Sequence, residues 1–484
     1  MKSLAQQQKI EYGDFQTPLN LAQAVCRKLV ELGVSPDIII EPTCGIGAFV
    51  DAASRAFPAA AKIIGVELND EYITAAQRAI SSLPQAEKIE IMRGDFFQLN
   101  WEQLFGNPSQ ALLVLGNFPW VTNSQQGSIG GKNLPAKLNF QNYSGLEALT
   151  GKSNFDISEW MLMQTAQCLK HRNAAIAMLC KLSVARKFLH YLQTQKIGVS
   201  ASAIYRIDAK KHFGAAVEAC LLFCKFDETA HEYDYVVYES LEALTGSRVG
   251  HRNGMSIGNL EAYEVLNHLQ GNGKGDWRSG IKHDCAEILE LKSTGKAYVN
   301  GLGESVELED DYLYPLLKGS AIANNRSATT DRYLLVTQKL VGEPTNAIRE
   351  FAPKTWDYLE AHADCFTKRK SKIYQGAPRF SVFGVGAYTF APYKIAICGL
   401  YKKLAFRLVS PMAGKPVVFD DTVYFLSFDD AAAAQETLAF LTSDAAQSFL
   451  SSLIFWDEKR PIKSSILNRL QLSLKQSTHT PTLF

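Results

Sequence analysis

An α/β fold is predicted by two features of the first half of the chain. Short apolar, β-branched runs alternate with segments of helical periodicity, and turn residues close each run. Such alternation implies a mostly parallel, doubly wound sheet covered on both faces, with ligands at the C-terminal ends of its strands. Residues 19–32 have helical periodicity with Lys and Glu on the polar side, and residues 37–40 form a short β-branched run. The turn Glu41-Pro42-Thr43-Cys44-Gly45-Ile46-Gly47 leads into an Ala-rich helix ending near Phe57. Residues 62–67 make a second strand, 70–82 a helix, 89–92 a third strand and 111–115 a fourth. Residues 158–169 read as a helix, and 173–180 and 219–226 as buried strands.

Two stretches break this rhythm. Residues 121–156 are rich in Gly, Ser, Asn and Gln, have little periodicity, and are placed to close over whatever the preceding turn holds. After about Glu228 the texture becomes loop-rich, which divides the chain into an expected first domain, 1–235, and a second, 236–484. The second reads as α+β, with strand-like stretches at 333–337, 396–399 and 417–425 and helical ones at 431–443 and 445–455. No internal repeat is found.

Bulk properties narrow the class. A length of 484 residues suits two or three domains, and 46% hydrophobic with 20% charged residues describes a globular protein with a substantial core. Net charge of +1 argues against a polycation, although nucleic-acid binding needs only a local basic face. Nine cysteines contain no CxxC pair, which argues against zinc and against a disulfide scaffold; no metal is expected. With no signal-peptide core and no apolar run of about 18 residues, the expectation is a cytoplasmic protein without a membrane span.

The chemistry concentrates at strand ends. Residues 115–120, Leu-Gly-Asn-Phe-Pro-Trp, follow the fourth strand. Asn117 offers an acceptor oxygen, the main chain before Pro119 another, and Trp120 a π-face, which together suit a planar group with an exocyclic amine. The plainer alternative is a turn, since Asn and Pro are common there. Upstream, Gly45 and Gly47 let a ligand approach the backbone at a helix start. Glu67 ends the second strand, where a carboxylate is suited to grip two ribose hydroxyls. Asp95, with Phe96 beside it, closes the third strand and could accept from an adenine amino group. Singly each reads as an ordinary loop carboxylate; on successive strands they stand in the order a bound adenosine requires.

With these residues in view, the chain resembles the S-adenosylmethionine-dependent DNA amino-methyltransferases, which make N6-methyladenine or N4-methylcytosine. Gly13-Asp14-Phe15-Gln16-Thr17-Pro18 resembles the N-terminal cofactor motif, and Glu41 to Phe49 the central one. Asn117-Phe118-Pro119-Trp120 resembles the catalytic Asn-Pro-Pro-aromatic motif, and Lys211-His212-Phe213 a later motif whose aromatic packs on a flipped base. Cofactor motifs before the catalytic one, with a large region after both, are the order of the gamma subgroup. The resemblance covers roughly residues 10–230 by motif. It implies a Rossmann-like methyltransferase domain followed by a target-recognition domain. It also implies S-adenosylmethionine contacts from Phe15, Thr17, Pro18, Glu41, Pro42, Cys44, Gly45, Gly47, Phe49, Glu67, Leu68, Asp95, Phe96 and Asn117. Asn117, Phe118, Pro119 and Trp120 would be catalytic, and Trp120 and Phe213 would stack on the base. Phe118 departs from the family's Pro, but it retains a carbonyl, and Pro119 keeps it extended.

The expected reaction is direct methyl transfer to the N6 amine of a flipped adenine in double-stranded DNA, within a restriction–modification system whose endonuclease acts separately. A monomer is expected. The second half mixes basic and aromatic residues, and Lys368, Arg369, Lys370, Lys372, Lys402, Lys403 and Arg460 are its candidate DNA contacts. The alternatives are N4-cytosine methylation, RNA or protein-glutamine methylation, and a decayed DNA-binding subunit. Asp284 with Glu290-Leu291-Lys292 superficially matches a nuclease acid-x-Lys pattern that is too loose to use.

Overall fold

The structure, a computed structural model, describes residues 16–83, 85–120, 156–273, 275–295, 297–326 and 328–472. Phe15 and most of the long insertion (121–155) lie outside the described residues. The chain divides into two compact units, residues 1–256 and 257–484.

The first unit is built on a ten-stranded sheet. Its strands are β1 (Ile38–Glu41), β2 (Lys62–Glu67), β3 (Ile89–Arg93), β4 (Leu112–Asn117) and β5 (Ala174–Lys181). They continue with β6 (Val199–Ile207), β7 (Ala219–Phe226), β8 (Tyr235–Tyr238), β9 (Gly246–Arg252) and β10 (Met255–Ile257). The spatial order is β10-β9-β8-β6-β7-β5-β4-β1-β2-β3. The run β3-β2-β1-β4-β5 is parallel throughout, and β7 lies antiparallel between β5 and β6. Chain order reverses between β1 and β4, which makes that crevice the switch point where such sheets bind ligands.

Helices α1 (Leu19–Glu31), α2 (Ala48–Ala56), α3 (Asp70–Ile80), α4 (Trp101–Leu104), α5 (Ile157–Leu169), α6 (Leu182–Thr194) and α7 (Ala209–Phe213) connect the strands. In α1 the buried residues are Leu21, Ala22, Val25, Cys26 and Leu29, one face at helical spacing. Burying each large one contributes about 1.5–3 kcal/mol. Asn69 caps α3 by accepting from the N–H groups of Glu71 (2.9 Å) and Tyr72 (3.4 Å), and Asp70 and Glu71 oppose the helix dipole. Strands β1 and β4 are apolar and almost wholly buried, as a sheet covered on both faces requires.

The unit boundary falls after Ser256 rather than after residue 235. β8 joins the sheet in parallel with β6 (Ala203↔Val236), and β9 pairs antiparallel with β8. β9 (Gly246-Ser-Arg-Val-Gly-His-Arg) is polar and largely exposed or half-exposed, so its composition reads as loop-rich.

The second unit is α+β. One sheet has the order β11-β20-β17-β18 and another β14-β13-β12-β16-β15-β19. These strands are β11 (Arg278–Ser279), β12 (Glu290–Ser293), β13 (Tyr298–Val299), β14 (Ser305–Val306) and β15 (Leu313–Leu317). The rest are β16 (Arg332–Leu335), β17 (Tyr393–Cys398), β18 (Arg407–Val409), β19 (Val418–Phe419) and β20 (Val423–Phe428). The expected single strand at 417–425 is two strands, because Asp420 Oδ1 accepts from the Thr422 N–H (3.2 Å) and turns the chain between them. Lys394 on β17 is only 1% exposed, and its ammonium donates to the Ala391 carbonyl (2.7 Å). Burial pulls its pKa down to about 7.

All nine cysteines are free, and seven of them are buried. No helix among the described residues is long and apolar enough to cross a membrane.

Candidate active site

The parallel run of strands sets Glu41, Glu67, Asn117 and Lys181 at neighbouring C-terminal ends, with Glu41 opposite Gly65, Glu67 opposite Arg93 and Asn117 opposite Leu179. Residues 16–18 cross these ends. Gln16 Oε1 accepts from the Ile46 N–H (3.2 Å), and the Asn117 amide nitrogen donates to Thr17 Oγ1 (3.4 Å). Thr43 Oγ1 donates to the Asn117 carbonyl (3.2 Å). The two cofactor-like motifs and the Asn-Phe-Pro-Trp turn, separate in sequence, are therefore stitched together.

Glu67 accepts three main-chain bonds: Gly45 N–H on Oε2 (2.8 Å), and Leu68 (2.8 Å) and Asn69 (2.9 Å) on Oε1. A carboxylate has about four acceptor sites. Glu67 thus holds the loop at 45 and the turn at 68–69, and its remaining capacity is what a ribose would meet. Asp95 accepts from the Phe97 N–H (2.9 Å) and from Gln98 Nε2 (2.8 Å). Thr17, Pro18, Glu67, Leu68, Asp95, Asn117 and Pro119 are all partly exposed.

Other expected contacts lie beneath this layer. Glu41 is 3% exposed, and its Oε2 accepts from the Val50 N–H (3.1 Å), tying β1 to α2. Burial pushes its carboxyl well above the usual range, and the Glu67 charge adds to this against the Val50 hydrogen bond. Gly116, at φ +147°, passes so close that a Cβ would stand 3.1 Å from Glu41 Cγ, which explains its identity. Gly47 starts α2 at φ +88°, a conformation that favours glycine. Pro42, Cys44, Gly45 and Phe49 are buried, and burial raises the Cys44 thiol pKa.

Phe96 was expected against an adenine ring. It is 7% exposed and enclosed by Trp101 (4.8 Å between centroids), Phe118 (5.5 Å), Phe97 (5.8 Å) and Trp160 (6.3 Å). Phe97 and Trp160 remain partly exposed beside it, 5.2 Å apart. Trp120 and Phe213, distant in sequence, meet edge-to-face at 5.0 Å and 68°. Trp160 was missed because its helix reads as core. Lys181 was missed as well: its ammonium donates to the Trp120 carbonyl (3.2 Å) and ion-pairs with Asp156. Only a lysine closing a buried strand gave a sequence signal.

In the second unit the candidate DNA contacts separate into two kinds. Lys368, Lys370, Lys372, Lys402 and Lys403 are exposed. Arg369 is held inside, donating to the carbonyls of Phe366 (3.1 Å), His283 (3.3 Å) and Ser381 (2.6 Å) and lying 3.6 Å from the Tyr374 ring centroid. Arg460 donates to the Asp421 carbonyl and packs on Tyr424. A cavity of about 600 Å³ is lined by Lys282, His283, Glu290, Lys318, Lys368 and Asp420, among others. Within it Glu290 pairs with Lys318 (2.7 Å) and His283 (3.6 Å), while Lys292 faces Asp331 (3.5 Å). The acid-x-Lys residues thus answer to separate structural partners, and no group of three His, Cys, Asp or Glu among the described residues could hold a metal ion.

A doubly wound parallel sheet of this order, with these strand ends, has the fold of the Rossmann-like methyltransferases. It is similar to the type IIL restriction–modification enzyme MmeI, solved in complex with DNA: 13% identity, TM-score 0.53, over 96% of this chain and 67% of that one. No family model matches. The chain is 56% identical over 467 residues to the type II methyltransferase M.NspV of Nostoc sp. (strain ATCC 29411 / PCC 7524), covering 96% of this chain and 97% of that protein. It belongs to the type II methyltransferases.

Proposed function

We propose that this chain methylates the N6 amine of an adenine flipped out of double-stranded DNA, as the modification enzyme of a restriction–modification system. The observation that carries the reading is Asn117: it ends β4 at the switch point of the sheet, its amide nitrogen donates to Thr17, and its amide oxygen is the kind of group that accepts from an amine. Glu67, Leu68 and Asp95 would hold the ribose and adenine of the donor, and Thr17 and Pro18 its methionine end. Bound there, S-adenosylmethionine supplies a methyl group made electrophilic by its sulfonium.

An aromatic amine is a poor nucleophile because its lone pair is delocalised into the ring. Asn117 Oδ1 and the Phe118 carbonyl accept its two hydrogens and favour the geometry that localises the lone pair. Catalysis then rests on positioning and electrostatics, with no covalent enzyme intermediate. Trp120 and Phe213 flank the extruded base. The second unit reads the target, with the exposed lysines at 368, 370, 372, 402 and 403 on phosphates. The enzyme works as a monomer beside a separate endonuclease.

Mass spectrometry of nucleosides from duplex DNA, incubated with enzyme and methyl-labelled cofactor, tests this. Labelled N6-methyladenine is expected. Labelled N4-methylcytosine would reassign the base, and label confined to RNA or protein would overturn the substrate class.

A further inference from the structure

We propose that Lys181 is a positioning residue for methyl transfer, clamping the far end of the Asn117–Trp120 turn. The near end is already fixed, because Asn117 closes β4 in register with Leu179 and its carbonyl accepts from Thr43. Between the ends the turn has little freedom. Pro119 locks its own φ and restricts Phe118 to extended backbone, and the Phe118 ring is 1% exposed against Phe96. What remains is the orientation of the last peptide. Lys181 sets it by a charge-assisted hydrogen bond to the Trp120 carbonyl at 3.2 Å.

The ammonium is itself held. Its counter-ion, Asp156, is only 7% exposed, and the other oxygen of that carboxylate caps α5 by accepting from the Ser158 N–H (3.2 Å) and hydroxyl. Lys181 therefore sits between a strand end, a helix N-cap and the turn that presents the amine acceptors. It is not among the residues assigned to cofactor or base. Removing its charge takes a charge-assisted donor from the Trp120 carbonyl and leaves a buried carboxylate without its Lys181 partner. The Trp120 end of the turn, whose ring is assigned to flank the extruded base, then loses its fixed placement.

This inference rests on the amine-methylation reading. The test is single-turnover methyl transfer to duplex DNA at saturating substrates, beside calorimetric cofactor binding and thermal melting. Lys181→Met should slow transfer about tenfold to hundredfold, the scale of a misplacement near 1 Å. Cofactor Kd and the KM for DNA should stay within about twofold, since the side chain meets the Trp120 carbonyl and Asp156 rather than a group assigned to either ligand. Lys181→Arg should recover most of the rate. An unchanged rate in Lys181→Met, or a loss matched by lost cofactor binding, overturns the role. If that variant does not fold, Asp156→Asn carries the test: the same split is expected, smaller, and an undiminished rate there is equally fatal. Wild-type enzyme that labels no exocyclic amine would instead sink the amine reading and leave the clamp as geometry alone.

Discussion

The two units use charged and polar side chains in opposite ways. In the first, Glu67, Asp95 and Asn117 stand at or just past strand ends, each partly exposed, and Glu67 and Asp95 accept from main-chain N–H groups of the loops there. In the second, Arg369 and Arg460 are turned inward onto carbonyls and aromatic rings, although they come from the most basic stretches of the sequence. A strand-end polar residue is placed by topology, so its sequence position alone predicts a site. A cluster of charges is not so placed, and two of the seven candidates, both arginines, turn inward.

The largest expected effect breaks or keeps the first half of that contrast. Asn117→Ala should lower methyl transfer by at least about 10²–10³-fold, the scale of losing one preorganised polar group. Calorimetric cofactor affinity should persist; loss of both would make Asn117 structural. Glu67→Ala should weaken cofactor binding about tenfold to hundredfold, roughly 1.4–2.8 kcal/mol. Unchanged affinity would leave Glu67 as a brace for the loops at Gly45 and Leu68 and nothing more.

Arginine and lysine in the second unit should diverge. Arg369→Ala should destabilise that unit by about 1–3 kcal/mol in denaturant melts, because three carbonyls lose their donor. Its effect on the salt dependence of DNA binding should be nil. Lys368→Ala or Lys372→Ala should leave stability alone and reduce the slope of log affinity against log salt by about one. The reverse pattern would dissolve the distinction between the two kinds of cation.

A pH-dependent effect concerns Lys394. Burial lowers its pKa from 10.5 to about 7, so between those values the folded protein binds fewer protons than the unfolded chain. Stability should rise with pH across that window and be flat below it. Lys394→Met should remove the rise, read as melting temperature at pH 7 and pH 9.

Sequence reading succeeded where a local pattern coincides with a tertiary role. The strand at Lys62–Glu67 and the parallel sheet are of this kind, because each β-branched run is contiguous in sequence. It failed where the signal is shared between distant segments. Trp160 meets Phe97 only through the packing of α5, and Lys181 meets Trp120 from 61 positions away. The region after Glu228 reads in the sequence as a loop-rich start to a second domain because β9 is rich in Gly and polar residues, yet β8 and β9 pair into the first unit's sheet.

The burial of the cysteines has a practical consequence. Only a thiolate reacts with alkylating reagents, and burial pushes Cys26 and Cys224 in the first unit, and Cys285 in the second, up to about 12. Modification at these positions therefore has to wait for the surrounding structure to open. Timed alkylation with peptide mass mapping turns each thiol into a local clock, so the opening free energies of the two units become separately measurable in unmutated enzyme. Cofactor added to the reaction should slow the clocks at Cys26 and Cys44, which sit beside the strand ends, more than the one at Cys285.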